Sequence, residues 1–115
     1  MTDLTAAVER HCELFNESVR TGDWSPFVAT FAEDAQLSFT DVPVGPFMGR
    51  DQIAVAYAER PPNDTITLEA VEELDPQTAR VHFAWDAGGY GSMVLRWRAD
   101  QLTFLEVSPD AIAAT

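Results

Sequence analysis

Asn16-Glu17-Ser18-Val19-Arg20-Thr21-Gly22-Asp23-Trp24, then Phe31-Ala32-Glu33-Asp34-Ala35, then Phe47-Met48-Gly49-Arg50-Asp51-Gln52-Ile53: these three runs decide the fold. They read as a helix stopped by Gly22, a short helix, a strand, a loop and a third helix. Upstream, Leu4, Val8, Cys12, Phe15 and Val19 recur at intervals of three and four, the spacing of one helical face. The first helix is therefore expected from about Asp3 to Thr21. Thr2 or Asp3 caps its start, and Gly22 supplies the left-handed stop. Ser25-Pro26 opens a short second helix, with Ser at the cap, Pro in the first turn, and Phe27, Val28 and Phe31 as its apolar side.

From Ala35 the period changes to two. Ala35, Leu37, Phe39 and Asp41 alternate with Gln36, Ser38 and Thr40, a strand with one greasy face that ends in a carboxylate. Pro43, Gly45 and Pro46 predict a loop. A third helix follows over about Arg50 to Glu59, ended by Pro61-Pro62 because a residue before proline resists helical angles. The remainder is strand-rich. Strands are expected over Thr65 to Leu74 with a bulge at Ala70-Val71, over Ala79 to Trp85, over Ser92 to Arg98 and over Leu102 to Val107. Turns fall at Asp75-Pro76-Gln77, Gly88-Gly89-Tyr90-Gly91 and Ala99-Asp100-Gln101. The order ααβαββββ predicts an α+β fold, helices laid on one face of a curved sheet.

Composition narrows the function. At 115 residues the chain makes one domain, spanning 1–115. Nineteen acidic residues against 7 basic give a net charge of −12, which repels nucleic-acid backbones and anionic membranes alike. The basic residues are all arginine, so Schiff-base chemistry on lysine and a P-loop phosphate site are both excluded. Cys12 is the only cysteine, which rules out an intrachain disulfide and a cysteine-based zinc site. With two separated histidines and no cofactor glycine motif, neither metal nor cofactor is expected. No apolar run approaches the ~20 residues of a membrane span, and the start lacks a secretory pattern. A cytoplasmic protein is the expectation.

The three opening runs, together with the four closing strands, resemble the NTF2-like superfamily, in its SnoaL-like and ketosteroid-isomerase-like branch, over nearly the whole chain. The resemblance implies a cone: a strongly curved mixed or antiparallel sheet wrapped around three helices, enclosing an apolar cavity and usually paired through the sheet's outer face. It also implies where an isomerase would carry its groups. Counting from Gly22 and Phe31, the helical Tyr position falls on Phe15, the general base on Phe39 and the second Asp on about Leu95. All three are apolar here, so a standard ketosteroid-isomerase mechanism is not expected.

Other residues remain able to do chemistry. Asp41 shares strand parity with Leu37 and Phe39, so its carboxylate points into the cavity if the strand continues, where desolvation favours a general base. Alternatively it simply makes a turn before Pro43. His11, one turn before Phe15, suits a ligand hydrogen bond or proton shuttling, and Tyr57, four residues after Ile53, brings a hydroxyl to the same face as that core residue. For each, the structural reading, a satisfied flank histidine and a core tyrosine, is the commoner one. Trp85, Met93, Leu95 and Trp97 share an expected inner face, with Thr103, Leu105 and Val107 beside them. Phe15, Phe39, Trp85, Met93, Leu95, Trp97 and Leu105 are thus the candidate ligand-binding walls, although such side chains also fill a core solid.

Leu102, Phe104 and Glu106 take the outer side of the last strand, whose two apolar faces imply cover by a second copy of the chain. Two functions stay open. One is a small enzyme, an isomerase, cyclase or hydrolase, acting on a small apolar molecule with Asp41 as base. The other is a non-catalytic binding or dimerisation module.

Overall fold

The periodic N-terminal segment forms helix α1 (Leu4–Thr21) in the computed structural model, which describes residues 3–40 and 45–109. The Asp3 carboxylate caps it by accepting the Thr5 amide at 3.0 Å. Gly22 closes it at φ 79°, donating its N–H to the Ser18 carbonyl at 2.8 Å in a conformation that costs glycine nothing. Leu4, Val8, Cys12 and Phe15 are buried along one face.

Helix α2 is a single turn, Ser25–Val28. Ser25 is its first residue and not its cap; Trp24 holds the cap position without a side-chain capping bond, and Asp23 before it accepts the Ser25 amide at 3.0 Å. The expected continuation of this helix to Phe31 is not found. Thr30 returns both its amide (3.1 Å) and its hydroxyl (2.7 Å) to the Phe27 carbonyl, which ends the turn. Strand β1 then begins at once, Phe31–Phe39, four residues before the alternating pattern starts. A register slip lies between Phe31 and Gln36, and Phe31 and Ala32 are both buried, which breaks the alternation of a strand with one solvated face.

A two-residue strand β2 (Phe47–Met48) lies inside the expected loop and pairs with β1. Helix α3 (Arg50–Glu59) matches its expected span. It starts at Gly49, which donates to the Ala35 carbonyl at 2.7 Å and has φ 91°, a positive angle that favours glycine. Strands β3 (Ile66–Asp75), β4 (Thr78–Trp85), β5 (Tyr90–Arg98) and β6 (Gln101–Ser108) agree with expectation within two residues. The bulge in β3 sits between Leu68 and Ala70, just ahead of its expected place.

The six strands form one curved sheet in the order β2-β1-β6-β5-β4-β3. β1 and β6 run parallel and every other neighbouring pair is antiparallel, so the sheet is mixed. Register slips in β1, β3 and between β5 and β6 give it extra twist. One of them corrects the outer face. Trp97 pairs with Leu102 and Arg96 with Phe104, so Thr103 is the extra residue and Leu102 turns inward to 1 % exposure. Phe104 and Glu106 keep the outer side.

Helix α1 packs on β3 and β4, and α3 on β1, covering one face of the sheet. Asn16 fixes α1 to the edge strand. Its side-chain amide donates to the Ile66 carbonyl at 2.9 Å and its oxygen accepts the Ile66 amide at 2.8 Å, imitating a neighbouring strand. Phe27, Phe31, Leu37, Ile53, Val81, Leu95 and Leu105 are the heart of the core.

Candidate functional site

The helices do not cover the sheet completely. Between α3, β1, β2 and the last residues of β4 and β6 opens a cleft of about 400 Å³. Phe15 of α1, Leu37 and Phe39 of β1, Phe47 of β2, Trp85 of β4 and Val107 of β6 line it, with Ala56, Tyr57 and Glu59 from the last turns of α3. Arg60, Pro62, Gly45 and Pro109 complete its edge. Strand alternation explains the β1 and β6 contributions, since Leu37, Phe39 and Val107 share one side of adjoining strands.

The rings are held by one another. Phe39 and Phe47 meet edge to face at 6.3 Å, and Phe15 and Trp85 stand 6.3 Å apart. Phe83 braces Trp85 from behind at 5.2 Å. The Trp85 indole N–H is committed to the Pro109 carbonyl at 2.8 Å. Tyr57 is clamped more firmly, stacked on Trp24 at 4.8 Å and crossed by Phe27 at 5.1 Å.

Beneath the cleft lies a small void of about 30 Å³, sharing Phe15, Tyr57, Trp85 and Val107 with it and reaching His11, Met93 and Leu105. That is room for about one water-sized group. Among the described residues no enclosed side-chain nitrogen or oxygen lacks a partner. Neither the Tyr57 hydroxyl nor the His11 ring bonds a described residue; Tyr57 lines both the cleft and the void, and His11 lines the void. Burial pushes the Tyr57 phenol well above its usual range, so it stays a neutral donor. His11 lies against Phe27 at 4.9 Å and Phe31 at 6.5 Å, and desolvation lowers its pKa from 6.5 to about 4. It is a neutral imidazole at physiological pH.

The sequence-derived candidates separate into groups. Phe15, Phe39, Trp85 and Tyr57 line the cleft. Met93, Leu105 and His11 lie at the void below. Leu95 is fully enclosed in the core. Trp97 faces another groove, about 340 Å³, near the start of α1 with Arg10, His11 and Leu14. Asp41 lies outside the described residues. Cys12 is buried, and its thiol is pushed up to about 11 by desolvation first and by Glu13 and Glu9 second, a poor nucleophile. Among the described residues no three of His, Cys, Asp and Glu gather as a metal site.

Sequence reasoning passed over Phe47, Ala56, Glu59 and Arg60. Phe47 was hidden because a strand of two residues leaves no period to read. For Ala56 the signal was available: it is three residues beyond the core residue Ile53, on a helix already assigned.

No family model matches the chain, and no curated protein matches it by sequence. Solved structures do match. A protein from Sphaerobacter thermophilus superposes with a TM-score of 0.65 at 22% identity, covering 85% of this chain and 91% of the other. A hypothetical protein with a ketosteroid isomerase-like fold from Catenulispora acidiphila, in complex with trimethylamine, gives 0.71 at 13% identity, over 87% and 85%. An NTF-2 like protein of unknown function from Burkholderia xenovorans gives 0.69 at 11%, over 96% and 89%. The chain has the NTF2-like, ketosteroid-isomerase-like fold. Among the described residues no helix is long and apolar enough to cross a membrane.

Proposed function

We propose that the protein binds a small, largely apolar organic molecule in the cleft between α3 and the sheet. One observation carries this reading: about 400 Å³ of space walled by Phe15, Phe39, Phe47 and Trp85, with the neutral Tyr57 hydroxyl as an uncommitted polar group. Pockets of this size, apolar with a few oriented polar groups, are the usual form of small-molecule sites. That a protein of the same fold from Catenulispora acidiphila is in complex with trimethylamine further supports a small organic occupant.

The test is a titration of the full chain with a fragment set, followed by nitrogen–proton correlation spectra. Shifts should gather at Phe39, Phe47, Tyr57 and Trp85. They should vanish in Ala56→Trp, which fills the cleft from a half-buried helix position. Shifts scattered over the surface, or unaffected by Ala56→Trp, would contradict the proposal.

A second reading, an isomerase, cyclase or hydrolase, is favoured by one feature: Asp41 follows by two residues Phe39, which lines the cleft. In that reading Asp41 removes a proton from the bound molecule and Tyr57 or His11 donates to the oxygen that gains charge. Asp41→Asn should then lower turnover of a responsive substrate at least a hundredfold; unchanged turnover removes Asp41 as the base. We further propose that two copies pair through the sheet's outer face, where half-buried Val94 and Phe104 lie among Arg80, Arg96 and Glu106. A clean monomer in sedimentation at micromolar concentration would refute that pairing.

A further inference from the structure

We infer that the cleft's occupant is a small organic cation, with a quaternary or fully alkylated ammonium head on a short apolar body. The inference rests on the proposed binding site and deepens it to a ligand class. Four aromatic residues, Phe15, Phe39, Phe47 and Trp85, gather around this one opening, and a fifth, Tyr57, is stacked on Trp24 and lines it as well. Ring faces carry the negative side of the aromatic quadrupole and attract a cation within about 6 Å of the centroid.

The charges around the opening agree. Helix α3 ends at Glu59 with its last turn in the cleft wall, so the partly negative carbonyl end of its dipole lies at the mouth. Glu59 and Arg60 both line that edge and cancel locally. What remains is the field of a chain with net charge −12, which concentrates cations and repels anions. The Tyr57 phenol in the lining and the His11 ring at the void beneath are neutral and do not repel a positive head. Among the described residues Glu59 is the one carboxylate of the lining, whereas a primary ammonium needs several acceptors for its N–H groups. An alkylated nitrogen, which has none to satisfy, fits this lining.

The test is calorimetric titration of the full chain with choline and with its uncharged carbon isostere, which bears a tert-butyl group in place of trimethylammonium. Choline should bind about tenfold tighter at low salt. Raising ionic strength should weaken choline and leave the isostere unchanged. Phe47→Leu, which keeps apolar area and removes a ring face, should weaken choline about fivefold and the isostere by less than about twofold. Phe39→Leu serves as a second variant if Phe47→Leu does not fold. Equal or better binding of the isostere overturns the cation preference while the binding site itself stands. Binding of neither probe, together with an empty fragment titration, removes the site and the inference with it.

Discussion

His11 offers the sharpest energetic test of how the interior is built. Its ring sits between Phe27 and Phe31, 6 % exposed, and burial holds its pKa at about 4 instead of 6.5. The native protein therefore refuses a proton that the unfolded chain accepts. Above about pH 7 both states are neutral at this site, and His11 leaves stability unaffected by pH. As pH falls through 6.5 the unfolded chain gains the proton first, and stability drops until the native pKa near 4 is reached. The loss attributable to this one group is about 2 kcal/mol between pH 7 and pH 5, and about 3 kcal/mol by pH 4.

Urea unfolding at several pH values, for the natural chain and for His11→Phe, reads this directly. The variant keeps an apolar ring in the same aromatic nest and loses the titration. The carboxylates held low in the native state, Asp34 by Arg98 and Asp86 by the Thr65 and Thr67 hydroxyls among them, act equally in both proteins. The difference between the two curves therefore isolates His11. It should widen in the variant's favour by about 2 kcal/mol on going from pH 7 to pH 5. Parallel curves would refute the reasoning and mean that His11 is freely hydrated.

Three other outcomes follow from the geometry. Asn16→Ala leaves both backbone groups of Ile66 without their partner on the edge of the sheet, and should cost about 2 kcal/mol in chemical denaturation. Gly91→Ala would press a methyl group into the Phe83 ring, with Cε2 at 2.6 Å, in a position where Phe83 is 2 % exposed; a loss of about 2 to 3 kcal/mol, or failure to fold, is expected. Tyr57→Phe keeps the stacking on Trp24 and removes a hydroxyl that bonds no described residue, so the melting temperature should hold while affinity for an oxygen-bearing cleft ligand falls about fivefold.

Period and punctuation made most of the fold legible. The three-and-four spacing from Leu4 to Val19 and the Gly22 stop define α1, and Pro61-Pro62 marks the end of α3. The failures lie where regularity breaks. Phe31 and Ala32 are both buried at a slip in β1, and Leu102 turns inward at the Thr103 bulge; a period-two reading misses both. The site was half legible for a different reason. Alternation tells which face of a strand a residue occupies, but not how far along the strand the opening lies. Met93, Leu95 and Trp97 share a face of β5, yet the first reaches the void under the cleft, the second is sealed in the core and the third lines a groove at the opposite end. His11 was placed correctly beside the core face, but the Phe27 and Phe31 rings that neutralise it come from other elements and are invisible to helical spacing.

The central claim is that open, apolar space persists between α3 and the sheet. Crystals of the protein pressurised with xenon measure this without assuming any ligand, because the atom settles in dry apolar cavities. Strong xenon density against Phe15, Phe39 and Trp85, absent in Ala56→Trp, is the expected result. Density nowhere in that region, with the rings closed on one another, would contradict it.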